Sequence, residues 1–197
     1  MLNLKTIKLF AIIIFAAAMV SAEENSRRKI PNQAFGDRKH QVNTSFGVSI
    51  RDFKRFEDLY FWQISYGQEK TFFMLPGRLN AELMMQQGSG KYSKYDEYMA
   101  GISQDWVFPI LWWLNPKPIS NLYLGVGLGG YIKTNKTDRI SSKFTFGQRV
   151  FLGYRIKERV AIEFYGRHFS NGTLTNQTSG YDFIGLSVMW NFSAKSL

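Results

Sequence analysis

A histidine, a serine and an aspartate lie close together near the end of the chain. They are His168, Ser170 and Asp182, within "RHFSNGTLTNQTSGYDF", residues 167–183. These are the side chains of nucleophilic acyl transfer. A serine hydroxyl attacks a carbonyl poorly until an imidazole takes its proton. A carboxylate on the far ring nitrogen holds the productive tautomer and offsets the developing positive charge. Spacing alone leaves a second reading open, in which all three are polar strand ends at a membrane headgroup boundary. The choice turns on where each side chain points, and so on the elements that carry them.

Those elements have period two. In 42–52, Val42, Thr44, Phe46, Val48 and Ile50 alternate with Asn43, Ser45, Gly47, Ser49 and Arg51. Segments 122–132, 160–170 and 183–192 repeat the pattern, and 59–67, 78–87, 98–108 and 144–154 carry it less regularly. Alternation of this kind specifies strands with one aliphatic face and one polar or small face. Eight antiparallel strands can close into a narrow barrel filled by side chains. A soluble barrel would turn its aliphatic face inward. Here the other face holds glycines, serines, tyrosines and arginines, which suits a crowded polar lumen with the aliphatic face toward lipid. The expected fold is all-β: an eight-stranded antiparallel transmembrane β-barrel. Aromatics make up 16% of the chain, and Trp112, Trp113, Trp190 and several tyrosines are available for interfacial girdles.

The rest of the chain frames that barrel. Lys5 and Lys8 precede an apolar run ending in Val20-Ser21-Ala22, so 1–22 reads as a secretory signal peptide. The run falls short of the roughly 20 residues that a helical span needs. Residues 23–40 form a polar extension, 41–192 the barrel and 193–197 a tail, leaving about 175 residues, the size of one domain. There is no cysteine for disulfides or thiolate metal sites. The net charge of +10, or +8 once Lys5 and Lys8 leave with the signal peptide (10 − 2), favours phosphorylated lipid or an anionic surface over nucleic acid as partner.

With both termini at the periplasmic end, the outward loops fall near 53–57, 88–97, 133–142 and 171–180. The inward turns fall near 68–77, 109–119 and 156–158. Lys91, Lys94, Lys133, Lys136 and Arg139 in the second and third outward loops suit either a solvated face or contacts to lipopolysaccharide phosphates. Residues 108–118 read as a strand end plus turn, or as a short interfacial helix. "GVGLGG", Gly125 to Gly130, matches a dinucleotide-binding pattern in letters only. That motif needs glycines between a strand and a helix, whereas these lie within a strand, where close packing accounts for them.

Parity then gives direction. His168 and Ser170 share the parity of Val160, Ile162 and Phe164, and Asp182 that of Ile184, Leu186 and Val188. All three extend the lipid-facing stripe. A register with His168 opposite Asp182 brings their Cβ atoms to about 4.5–5.5 Å, with Ser170 about 6.6–7 Å further along the same face. A one-residue slip would put one stripe on the wrong side; a bulge or a two-residue slip stays open.

"RHFSN", a glycine-containing loop and then G-Y-D-F opening the last strand resemble the PagL-type lipid A 3-O-deacylases, which are eight-stranded outer-membrane barrels. The resemblance covers the chain after the signal peptide, and its specific part lies in the last two strands. It implies an esterase in the outer membrane of a Gram-negative bacterium, with its active site toward the outer leaflet. The substrate would be lipid A or lipopolysaccharide, which loses its 3-O-linked 3-hydroxyacyl chain. It implies His168 as base, Ser170 as nucleophile and Asp182 as acid, with the Asn171 amide and backbone N–H groups around Gly172 as oxyanion donors. No cofactor or metal is required, and the other histidine, His40, has no evident ligand cluster. The chain departs from the family in two places: Asp182 stands where glutamate is usual, shortening the acid by about 1.5 Å, and five residues follow Phe192. A non-catalytic barrel, adhesive or structural, and a lipid A acyltransferase of the same architecture are the competing readings.

Overall fold

The computed structural model describes residues 32, 34–50, 58–73, 75–89, 94–110, 121–137, 140–172 and 180–193. The expected signal peptide, Trp112, Trp113 and residues 194–197 lie outside them. Eight strands follow in order: β1 (His40–Ser49), β2 (Asp58–Glu69), β3 (Gly77–Ser89), β4 (Lys94–Pro109), β5 (Leu122–Lys133), β6 (Phe144–Lys157), β7 (Val160–Ser170) and β8 (Tyr181–Phe192). Each pairs antiparallel with the next, and β8 closes on β1 from His40↔Phe192 to Ser49↔Phe183. Every expected strand is present. Closure leaves no unpaired strand edge, the condition for a sheet to sit in hydrocarbon.

Direction alternates as the sequence requires. In β1, Gln41, Asn43 and Ser45 are buried while Val42 and Phe46 are exposed. β3 has the opposite parity because its register with β2 joins odd to even positions, as in Leu59↔Gly88. Arg78, Asn80 and Glu82 therefore point in, and Leu79 and Leu83 out. The exterior carries a belt of exposed aliphatic side chains that includes Ile64, Leu83, Ile102, Leu128, Val150 and Leu186. Tyr66, Tyr154 and Trp190 are exposed near the end bearing both termini, and Tyr60, Trp62 and Tyr98 near the opposite, loop-bearing end. An apolar belt between aromatic girdles is the surface of a barrel that spans lipid.

The interior holds paired charges and packed aromatic rings. Arg78 donates to Asp105 at 2.7 Å and to both Glu163 oxygens at 2.9 and 2.8 Å, and Arg149 reaches Glu163 at 2.7 Å. Closer to the loop end, Arg167 bonds Glu82 at 3.0 Å, and Glu82 also accepts from Ser103 and Tyr131. These three arginines face three carboxylates, so the buried charges neutralise one another, as burial demands. Phe61, Phe169 and Phe183 pack together above them. Gly125, Gly127 and Gly129 face this lumen, where a Cβ would strike Phe151, Asp105 and Tyr131. The glycine run is a packing device.

Described residues pack into both ends of the barrel. Part of the expected extension, Ala34 and Phe35, is fully buried at the terminal end. Asn191 donates to the Ala34 carbonyl, and Asn32 to that of Gly77, each at 2.8 Å. At the loop end Ile140 is buried, and Tyr181 donates its hydroxyl to Thr137 at 2.7 Å. β4 runs to Pro109 and a turn follows at Ile110; the remainder of 108–118 lies outside the described residues.

Candidate active site

His168 and Asp182 are direct partners in the β7–β8 register. His168 Nδ1 and Asp182 Oδ1 lie 2.5 Å apart. Because the two residues are directly opposed, the short aspartate arm reaches the ring in full. Both side chains face outward and are partly exposed, at 33% and 23%. The interior positions beside them, Arg167, Phe169 and Phe183, are buried within the barrel. With Nδ1 held by the carboxylate, Nε2 is the nitrogen left for proton transfer, the arrangement a general base needs.

Ser170 ends β7 on the same face, opposite Phe146 of β6, and its carbonyl accepts from Thr145 at 2.9 Å. No hydrogen bond joins Ser170 to His168 among the described residues; such contacts are often open without substrate and tighten around it. Asn171 is fully buried. It directly follows Ser170, beyond the last residue of β7. Gly172 is exposed and adopts φ +63°, a left-handed turn conformation that suits glycine. Its N–H has no hydrogen-bond partner among the described residues.

Gly180 is a site residue to which the sequence assigned no role. It has φ +65°, and a Cβ there would lie 2.8 Å from His168 Cε1, 3.4 Å from Nε2 and 2.7 Å from the Phe169 carbonyl oxygen. Only glycine leaves the ring its space. Its signal in the sequence was slight, the glycine that opens G-Y-D-F after a polar loop.

Below His168 the outer wall opens into a groove of about 760 Å³. Asp182, His168 and Gln148 lie in one row across β8, β7 and β6 at its upper end. Ile184, Gly166, Val150 and Val126 form the next row and lead to Trp106, near the terminal end of β4. Gly166 is the only glycine of β7, and its missing side chain leaves open space: a Cβ would meet only Val150 Cγ1, at 3.5 Å. The site therefore combines a polar row near the loop end with an apolar trough beneath it.

Residues 59–191 match the family model described as Lipid A 3-O-deacylase (PagL). The chain belongs to the PagL family. The matched span contains His168, Ser170 and Asp182. Among solved structures, the crystal structure of the outer membrane enzyme PagL aligns with a TM-score of 0.59 at 12% identity, covering 77% of this chain and 99% of that one. Neisserial surface protein A (NspA) aligns at 0.55 with 13% identity, covering 78% and 97%. At these identities both likenesses speak for the barrel alone. No curated protein matches the chain in sequence.

The expected loop cations of this PagL family member fall only partly within the described residues. Lys91 and Arg139 lie outside the described residues, Lys94 opens β4, and Lys136 is exposed in the β5–β6 connection. Lys133 does not belong to that loop, where it was expected. It is the last residue of β5, is 2% exposed and donates to Glu97 at 3.0 Å inside the barrel. Ile132 faces lipid, so its neighbour must face inward.

Proposed function

We propose that the chain is an outer-membrane esterase that removes the 3-O-linked 3-hydroxyacyl chain of lipid A, with its active site toward the outer leaflet. The observation that carries this reading is the His168–Asp182 bond on the lipid-facing wall, one strand step below Ser170. Ser170 Oγ attacks the ester carbonyl carbon while its proton passes to His168 Nε2, and the carbonyl π pair moves onto oxygen. Collapse of that intermediate expels the glucosamine 3-oxygen, which takes the proton from His168. Water, deprotonated by the same ring, then cleaves the acyl-Ser170 ester and releases a 3-hydroxy fatty acid. Asp182 holds the ring tautomer and offsets its charge. The Gly172 N–H and the Asn171 amide are the candidate donors for the oxyanion.

The placement suits a substrate that is itself a membrane lipid. Such a molecule diffuses laterally to an outward-facing site, its sugar level with the loops and its acyl chain beside the groove. Among the described residues, Lys136 and Lys143 are exposed cations at the loop end that would meet a phosphate.

The test is mass spectrometry of lipid A from cells expressing the wild type, Ser170→Ala or His168→Ala. Loss of one hydroxyacyl chain in the wild type alone supports the hydrolase. Gain of a chain would establish transfer, and an unchanged lipid A would leave a non-catalytic barrel. Full activity in Ser170→Ala would remove the nucleophile assignment while keeping the activity.

A further inference from the structure

β6 presents Phe144, Phe146, Gln148, Val150, Leu152, Tyr154 and Ile156 to the exterior. Gln148 interrupts an otherwise apolar and aromatic stripe. It is not a polar strand end, because Phe146 and Phe144 lie beyond it toward the loops. An amide facing hydrocarbon without a partner is costly, and such groups are ordinarily bonded. Gln104, another glutamine on the lipid-facing wall, meets this demand by donating to the Asp105 carbonyl at 2.8 Å. Gln148 is exposed and has no hydrogen-bond partner among the described residues. It is the direct β6 partner of His168 and lines the upper end of the groove.

We infer that Gln148 hydrogen-bonds the 3-hydroxyl of the acyl chain being removed and so selects 3-hydroxyacyl esters over plain acyl esters. The inference rests on the proposed deacylase reading and adds the feature of the chain that the site reads. An ester carbonyl at Ser170 whose chain descends past Gly166 and Val150 brings its first carbons beside Gln148. The 3-hydroxyl is borne two carbons from that carbonyl, while the later methylenes meet only Val150, Val126 and Ile184. The amide offers both a donor and an acceptor to the hydroxyl. A site built to bond a substrate hydroxyl leaves its own polar group unpaired with the analogue that lacks it, which is the basis of discrimination.

The test uses the full barrel in detergent micelles and two synthetic 3-O-acyl glucosamine lipids that differ only in the 3-hydroxyl of the chain. Gln148→Met retains volume and removes the hydrogen bond. Gln148→Leu is a second apolar variant, and the electrophoretic shift of the folded barrel confirms that both fold. The wild type should prefer the hydroxyacyl ester. In both variants kcat/KM for that ester should fall about tenfold, with the plain ester unchanged. Equal loss on both esters, or no loss on either, overturns the assignment of Gln148 while leaving the deacylase reading intact. A wild type that cleaves neither ester removes the deacylase reading itself, and the inference with it.

Discussion

Replacing Asp182 by asparagine separates catalysis from placement more cleanly than any other change at the site. The amide is nearly isosteric and stays opposite His168, but it carries no charge and can donate to Nδ1, favouring the wrong ring tautomer. A charge-assisted hydrogen bond contributes about 1.5–3 kcal/mol. Here the side chains are 33% and 23% exposed, so solvent screening places the pair in the lower half of that range, about 1.5–2 kcal/mol. The imidazolium forms only during reaction, so the loss falls on kcat, which should drop about 10–30-fold with little change in KM. Fatty acid release from lipid A vesicles, quantified by mass spectrometry, measures it. In a Ser170→Ala background the same change should have no further effect, because the three residues act as a unit. Full activity in Asp182→Asn, or an added loss on top of Ser170→Ala, would refute the reasoning. Asp182→Glu should stay within a few-fold of wild type, since the partly exposed outer face has room for one more methylene.

Gly180→Ala forces a side chain against the His168 ring and into a left-handed conformation that costs about 1–2 kcal/mol; activity should fall at least tenfold with the barrel still folded by its electrophoretic shift. Gly166→Leu fills the groove without a clash, so kcat/KM for long-chain esters should drop about tenfold while a short-chain ester is cleaved as before, measured on an ester series. Glu163→Gln leaves Asp105 as the one carboxylate paired with Arg78 and Arg149 among the described residues, and should lower unfolding stability in a urea titration by about 3–5 kcal/mol.

Period-two patterning carried most of the architecture, because a barrel wall has one hydrocarbon side and every residue must choose. The same rule confined the β7–β8 register to even slips, since only these keep both stripes outward; of those, the structure adopts the one that sets His168 opposite Asp182. The misplacement came where that rule was set aside at a strand end. Lys133 was grouped with a charged loop although Ile132 before it faces lipid. Applying parity one position further turns Lys133 inward. Other features had no local signal. Ala34 and Phe35 lie in a polar stretch, and their burial depends on a barrel mouth formed by distant residues such as Asn191 and Gly77. Gly180 matters only through a ring twelve residues away in sequence. Gln148 becomes notable only once its neighbours across β6 and β7 are known.

The packed interior also bears on where the water for deacylation would enter. Behind His168 the wall is backed by Phe61, Phe169 and Phe183 in contact with one another, and below them by paired arginines and carboxylates. This packed column stands between the lumen and the outward-facing His168 row. Water in the proposed reaction comes from the outer face at the loop end, near Gly172. In the proposed reaction an acyl group held in the groove below Ser170 keeps its carbonyl at that boundary, within reach of water and clear of the hydrocarbon. Moving the same three residues one turn deeper along β7 and β8 would keep their mutual geometry and remove the water, favouring transfer to a neighbouring lipid over hydrolysis.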